Sequence, residues 1–288
     1  MSSPPCSSSL EKQMDIEKAD EEIEPLSADN DLYGGVKVEM KEPMDSKIYA
    51  LRLKASLSEW RQQGKKGVWI KLPSELVNLV EPTMKEGFRY HHAEADYLML
   101  VRWLPKTIPD TLPGNASHTV GIGAFVMNAK KEVLVVQERS GQFRGKGVWK
   151  MPTGAVNQGE DFCMAAIREV KEETGIDTKF LQVLAFSQTH QTFFGKSDLF
   201  FVCVLQPLSF DIKKQESEVE AAQWMPIESY AAQPYNQRHE SFKYVSEICL
   251  AKSRGEYNGF APVSMKTSSG KTFYLYSSSR DFQQVTQF

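Results

Sequence analysis

Gly154-Ala-Val-Asn-Gln-Gly-Glu160, followed after seven residues by Arg168-Glu-Val-Lys-Glu-Glu-Thr-Gly-Ile176, is the stretch on which the reading of this 288-residue chain turns. Its first half is a loop bounded by glycines. From Asp161 onward the residues favour a helix: Asp161 can cap it, Ala165, Ala166, Arg168, Glu169 and Lys171 are good formers, and Gly175 stands where a left-handed residue ends one. At about 3.6 residues per turn, Glu169, Glu172 and Glu173 share an arc of about 100°, expected to face solvent, while Cys163, Ala166, Ile167 and Val170 form an adjacent arc that can pack on a sheet. Three carboxylates on one face repel, and a like-charge pair four residues apart costs roughly 0.2–0.5 kcal/mol even when exposed. The cluster makes sense if a cation sits on it. Mg²⁺ fits, as a hard ion that takes a few carboxylates, keeps several waters and bridges to phosphate oxygens.

An isolated Glu-x-x-Glu-Glu run is more often a solvated helix surface. Here Gly154, Glu160, Arg168, Glu169, Glu172, Glu173 and Gly175, with apolar Val170 and Ile176, stand at the spacing Gly-x5-Glu-x7-Arg-Glu-U-x-Glu-Glu-x-Gly-U, where U is apolar. That pattern resembles the Nudix box without a departure. The resemblance implies a Nudix α/β/α sandwich around a mixed sheet. It also implies metal binding by Glu169 and Glu173, with Glu172 contributing and the backbone carbonyl of Thr153 as a further ligand. Arg168 is then expected to brace Glu160, with Mg²⁺ or Mn²⁺ as the cofactor.

Outside the box, Lys66-Gly-Val-Trp-Ile-Lys-Leu72, Gly87-Phe-Arg-Tyr-His-His-Ala-Glu94, Tyr97-Leu-Met-Leu100 and Gln137-Glu-Arg-Ser-Gly141 resemble the plant cytosolic Nudix group described as ADP-ribose/NADH pyrophosphatases. That group carries an extra N-terminal α/β domain. The resemblance implies a cytoplasmic homodimer that hydrolyses ADP-ribose to AMP and ribose 5-phosphate, with NADH as the alternative substrate. Ser187-Gln-Thr-His-Gln-Thr-Phe-Phe-Gly195 begins like the NADH-type pattern but lacks its prolines, and so decides neither case. A nucleotide-sensing regulator with little turnover is the rival from another class.

Nudix enzymes often recruit one more carboxylate from a loop as metal ligand or base. The candidates are Glu216, Glu218 and Glu220, ahead of the strand holding Trp224, and Glu218 is the choice because its place six residues before Trp224 resembles that of the extra acid in other Nudix enzymes and Val219 beside it can anchor the loop.

Periodicity supports two domains. Residues 1–32 combine Ser, Pro and acids and are expected to be a disordered acidic tail. Residues 33–105 read as a small α/β domain: strand Val36-Lys-Val38, a helix with Tyr49, Leu53, Leu57 and Trp60 on one face, strand Val68-Trp-Ile70, a helix from Ser74 to Glu86, and strand Tyr97 to Leu104. The proline-rich 106–117 reads as a linker. Residues 118–278 then hold the hydrolase domain, including a short strand Val148 to Met151, and 279–288 form a tail.

Charge excludes some partners. Met1 to Asn30 holds eight acids against Lys12 and Lys18, a sum of −6 in a chain of net −3, so the remaining 258 residues sum to +3. No Lys/Arg stripe interleaved with aromatics appears, which argues against polymeric nucleic acid. The longest apolar run, Leu199 to Leu205, falls far short of the roughly 20 residues a spanning helix needs, so no membrane association is expected. Cys6, Cys163, Cys203 and Cys249 are scattered, without metal or disulfide spacing, which fits a reducing compartment and a cytoplasmic location. Adjacent His91 and His92 on an extended chain should point to opposite faces and not share an ion. Trp149 and Phe143 could stack on an adenine, although an aromatic beside a strand is more often core. Cys163 lies on the apolar arc and is not expected to be a nucleophile.

Overall fold

Alternating apolar residues build the first sheet. The computed structural model describes residues 23–278, which divide into two compact units between Ala116 and Ser117. In the first unit β1 (Asp29–Asn30), β2 (Val36–Glu39), α1 (Ser46–Gln62), β3 (Gly67–Pro73), α2 (Val80–Lys85), β4 (Arg89–Ala93) and β5 (Tyr97–Trp103) follow in order. The sheet order is β1-β2-β3-β5-β4, with β2 and β3 parallel and the other pairs antiparallel. Asp45 caps α1 by accepting from the N–H groups of Lys47 and Ile48. Tyr49, Leu53, Leu57 and Trp60 are buried as the period requires, packing with Val36, Val38, Val68, Ile70, Leu72 and Leu100 in one core. Each such side chain, fully buried, stabilises by roughly 1.5–3 kcal/mol.

Three expectations for this unit are corrected. The tail does not extend to residue 32: Leu26 is in the core, its N–H donates to Ser56 Oγ at 2.7 Å, and Arg52 donates to the carbonyls of Glu24 and Pro25. The rest of that tail, residues 1–22, and the tail expected at 279–288 lie outside the described residues. The proposed linker belongs to the first unit, because Asp110 pairs with Arg89 at 3.1 Å and the carbonyls of Ile108 and Pro113 bond Trp103 and His91. Its prolines remove ladder hydrogen bonds without freeing the segment. The helix expected from Ser74 to Glu86 is a 3₁₀ segment, Ser74–Leu79, running into α2, and Ser74 makes no cap bond. Pro82 is the reason: deep in a longer helix its ring would crowd a carbonyl one turn back, whereas starting at Val80 puts it in the first turn.

The second unit contains β6 (His118–Val126), β7 (Glu132–Glu138), β8 (Thr153–Ala155), α3 (Phe162–Thr174), β9 (Thr178–Thr189), β10 (Ser197–Pro207), β11 (Val219–Pro226), α4 (Ile227–Ala231), α5 (Pro234–Arg238), α6 (Glu240–Ser253), β12 (Ala261–Lys266) and β13 (Thr272–Ser277). A mixed sheet runs β8-β6-β10-β9, with β6 and β10 parallel, and β7 pairs with β11. On one side Ala165, Ala166 and Val170 of α3 pack on Ile122, Ala124, Cys203 and Leu205. On the other, Ile227, Tyr230 and Cys249 pack on Phe125, Leu184, Val202 and Val204. This is the expected α/β/α sandwich. The strand expected at Val148 to Met151 is reduced to a bridge between Lys150 and Val136, and the pairing moves to β8 inside the motif. Gly175 closes α3 at φ 74°, while Asp161 precedes it without a side-chain cap bond.

Candidate active site

β8 and α3 meet at Gly154, where an added Cβ would overlap the carboxylate of Glu169. The loop between them is tied by one guanidinium. Arg168 forks onto Glu160, Nε to Oε1 and Nη2 to Oε2 at 2.9 Å each, and also donates to Glu169 at 2.7 Å, Glu172 at 3.1 Å and the Ala155 carbonyl at 3.0 Å. Arg168 and the Asn157 N–H together outweigh burial and hold Glu160 below the usual carboxylate range. Arg168 thus contacts Glu160 through both carboxylate oxygens.

The remaining carboxylates sit deeper than expected. Glu173, placed by the sequence on a solvent-facing arc, is only 7% exposed, because the helix turns that edge toward the sheet. Burial pushes its carboxyl up to about 7, with Glu169 and Glu218 adding to the rise against Lys150 and the Thr153 backbone. Its Oε2 has no hydrogen-bond partner. Burial also raises Glu169, against the pull of Arg168 and reinforced by Glu172 and Glu218.

Glu173, Thr153 and Glu218 line a cleft of about 310 Å³ with Glu138, Lys150 and Val136. The Glu218 carbonyl accepts from Arg139 N at 2.9 Å, and buried Val219 anchors the start of β11. Glu216 and Glu220 instead turn outward to Arg139, at 3.5 and 3.4 Å, and line neither this cleft nor its neighbour. That neighbour, about 320 Å³, shares Glu138, Lys150 and Thr153 but is otherwise largely apolar, with Phe143, Met151, Phe200, Val202, Phe242 and Val245. Ser187, the start of the undecided substrate stretch, is on its wall.

Sequence reading missed Glu138 and Lys150. Lys150 stands at the seam of the two clefts, 11% exposed, with Nζ 2.5 Å from Glu138 Oε1 and 2.6 Å from Thr153 Oγ1. Its backbone is fixed by paired bonds to Val136, at 2.8 and 2.9 Å. The available signal was Glu138 two residues beyond Val136 on the same strand face, but its partner lies in a segment without periodicity.

Among the described residues no three carboxylate, thiol or imidazole groups converge closely enough to form a ready-made cation cage. Arg168 occupies Glu169 and Glu172 and leaves Glu173 with an unpaired buried oxygen. An all-oxygen donor set holding such an orphan suits a hard divalent cation, because a buried carboxylate oxygen without a partner carries an uncompensated desolvation cost.

The weaker signals resolve individually. A bulge between Tyr90 and His92 breaks the alternation assumed for the histidines: their Nδ1 atoms are 2.6 Å apart, and His92 Nε2 reaches Tyr97 OH at 3.1 Å. Trp149 packs on the core and lines neither cleft, whereas Phe143 lines the apolar one, edge-on to Tyr235. Cys163, Cys203 and Cys249 are buried. No helix among the described residues is long and apolar enough to cross a membrane.

Two family models match this chain, the Nudix hydrolase domain over residues 26–104 and the NUDIX domain over 117–245. Nudix hydrolase 2 of Arabidopsis thaliana is 60% identical over 251 residues, spanning 86% of this chain and 90% of its own length. Nudix hydrolase 7 of the same plant is 55% identical over 258 residues, 89% and 91% of the two chains. Among solved structures, a NUDIX hydrolase from Nitrosomonas europaea aligns with a TM-score of 0.42 at 16% identity, covering 60% of this chain and 90% of that one.

Proposed function

Because the chain belongs to the Nudix hydrolase family, enzymes that split pyrophosphate bonds with divalent cations, we propose that it hydrolyses ADP-ribose to AMP and ribose 5-phosphate in a Mg²⁺-dependent reaction. One observation carries this reading: an acidic cleft and an apolar cleft adjoin through Glu138, Lys150 and Thr153. The first suits a cation and a diphosphate, the second a planar base. Phe143 is the residue best placed to meet that base.

Glu169, Glu172, Glu173 and the Thr153 carbonyl would hold Mg²⁺, or Mn²⁺ in its place. The bound ion supplies neutralisation of the diphosphate and a more acidic attacking water. The protein's own residues do the rest. Arg168 fixes Glu160 and Glu169, and through them the loop and helix. Glu218 takes a proton from water as its oxygen bonds to one phosphorus, and the bridging P–O bond breaks to release the two monophosphates. Lys150 presents its ammonium to the diphosphate oxygens and keeps Glu138 paired.

Incubation of purified protein with ADP-ribose, NADH, FAD, dinucleoside polyphosphates and CoA, with and without Mg²⁺, tests this by chromatography of the products. The expected result is metal-dependent release of AMP, fastest from ADP-ribose. Faster cleavage of NADH would reassign the substrate, and no cleavage of any would favour the sensor. The reading includes a cytoplasmic homodimer, which light scattering checks; a monomer mass at micromolar concentration would contradict it.

A further inference from the structure

The first sheet has a second face that the helices do not cover. Side chains alternate along strands, and α1 and α2 take the face bearing Val36, Val68, Ile70 and Leu100. Register puts Lys37 beside Trp69 and Trp69 beside Val101, with Gly67 beside Trp103, on the opposite face. Gly67, lacking a side chain, leaves a hollow flanked by the two indoles. Leu112 reaches into it, so close that a Cβ on Gly67 would lie 2.7 Å from Leu112 Cδ2. The resulting cavity of about 670 Å³ is about twice either catalytic cleft.

Its lining is built for a particular chemistry. Trp103 is held by donation from Nε1 to the Ile108 carbonyl at 2.9 Å, and Trp69 by an edge contact with His91 at 4.9 Å, so both indoles are fixed in place. Lys37 and Lys66 stand on the wall, and among the described residues neither ammonium has a hydrogen-bond or ion-pair partner. Glu39, the acid that senses Lys37, is taken by Lys71 at 2.9 Å. Asp31, also lining the cavity, spends Oδ1 on the N–H groups of Tyr33 and Gly35. Fixed aromatic faces with two free cations fit a ligand that has a flat ring and a negative charge. The volume is in the range of small-molecule sites, about 300–1,000 Å³.

We propose that this cavity in the first unit is a second ligand site, taking a nucleoside monophosphate with its base against Trp69 and Trp103 and its phosphate on Lys37 and Lys66. The proposal does not depend on which substrate is hydrolysed.

Calorimetric titration of the full chain with AMP in EDTA tests it, against adenosine and inorganic phosphate as the ring-only and charge-only probes. AMP should bind saturably and more tightly than either probe. The charge reversal Lys37→Glu with Lys66→Glu should weaken AMP by about tenfold or more, and Leu112→Trp, which fills the hollow without touching the charges, should abolish it. The proposal is overturned if AMP does not bind saturably, if adenosine binds as tightly as AMP, or if both variants titrate like the unsubstituted chain.

Discussion

Gly154 and Glu169 compete for one volume: the Glu169 carboxylate occupies the space that any Cβ on residue 154 would need. The requirement is steric rather than torsional, since Gly154 is not among the positive-φ glycines. Gly154→Ala is therefore expected to displace Glu169 and lower kcat by about 100-fold, the scale of loss for a catalytic group moved by an ångström. The melting temperature should change little. Wild-type turnover in a folded Ala variant would show that the close approach serves no catalytic geometry.

Arg168 serves five oxygens at once, so its removal should release Glu160 and loosen the loop. Arg168→Ala should lose most of kcat, and Arg168→Lys should recover only part, because an ammonium keeps the charge but not the fork. Full recovery in the Lys variant, measured as kcat, would reduce the residue to a point charge.

Glu218 faces the cleft that holds Glu173, whereas Glu216 and Glu220 turn to Arg139. Glu218→Gln should depress kcat by about 10²–10⁴-fold with little change in KM, while the other two Gln variants stay near wild type. Full activity in Glu218→Gln alongside loss in either neighbour would move the base to that neighbour.

Glu173 couples stability to pH. Its carboxyl, ordinarily near 4.5, is raised to about 7 by burial. Between these values the folded chain keeps a proton that the unfolded chain has lost. Metal-free stability should therefore fall as pH rises from about 4.5 through 7, by on the order of 3 kcal/mol. Mg²⁺ should stabilise the fold more above that window than below it, since it binds the ionised form. Denaturant melts of wild type and Glu173→Gln across the window check this, and equal pH slopes in the two proteins would refute it.

The motif was legible because its chemistry requires fixed spacing along one loop and helix, and the buried face of α1 because a single period places Tyr49, Leu53, Leu57 and Trp60. What stayed hidden depended on contacts between distant residues. Leu26 follows an acidic run, and its docking near Ser56, with Arg52 on the carbonyls of Glu24 and Pro25, is a set of long-range contacts that no local pattern announces. β4 reads only as an extended chain around His91 and His92, because Arg89 and Tyr90 are exposed and the bulge at His91 erases its alternation. Glu138 and Lys150 come from separate segments that only the fold brings together, and the burial of Glu173 follows from how α3 sits on the sheet.

Turnover of ADP-ribose by wild type, Glu169→Gln and Glu173→Gln, each with and without Mg²⁺, bears most directly on the central claim of metal-dependent hydrolysis at this helix. The account predicts AMP release only by the wild type with Mg²⁺, with kcat in both variants lower by about 100-fold or more while their folds persist. Equal turnover with and without the cation, or wild-type rates in either Gln variant, would contradict it.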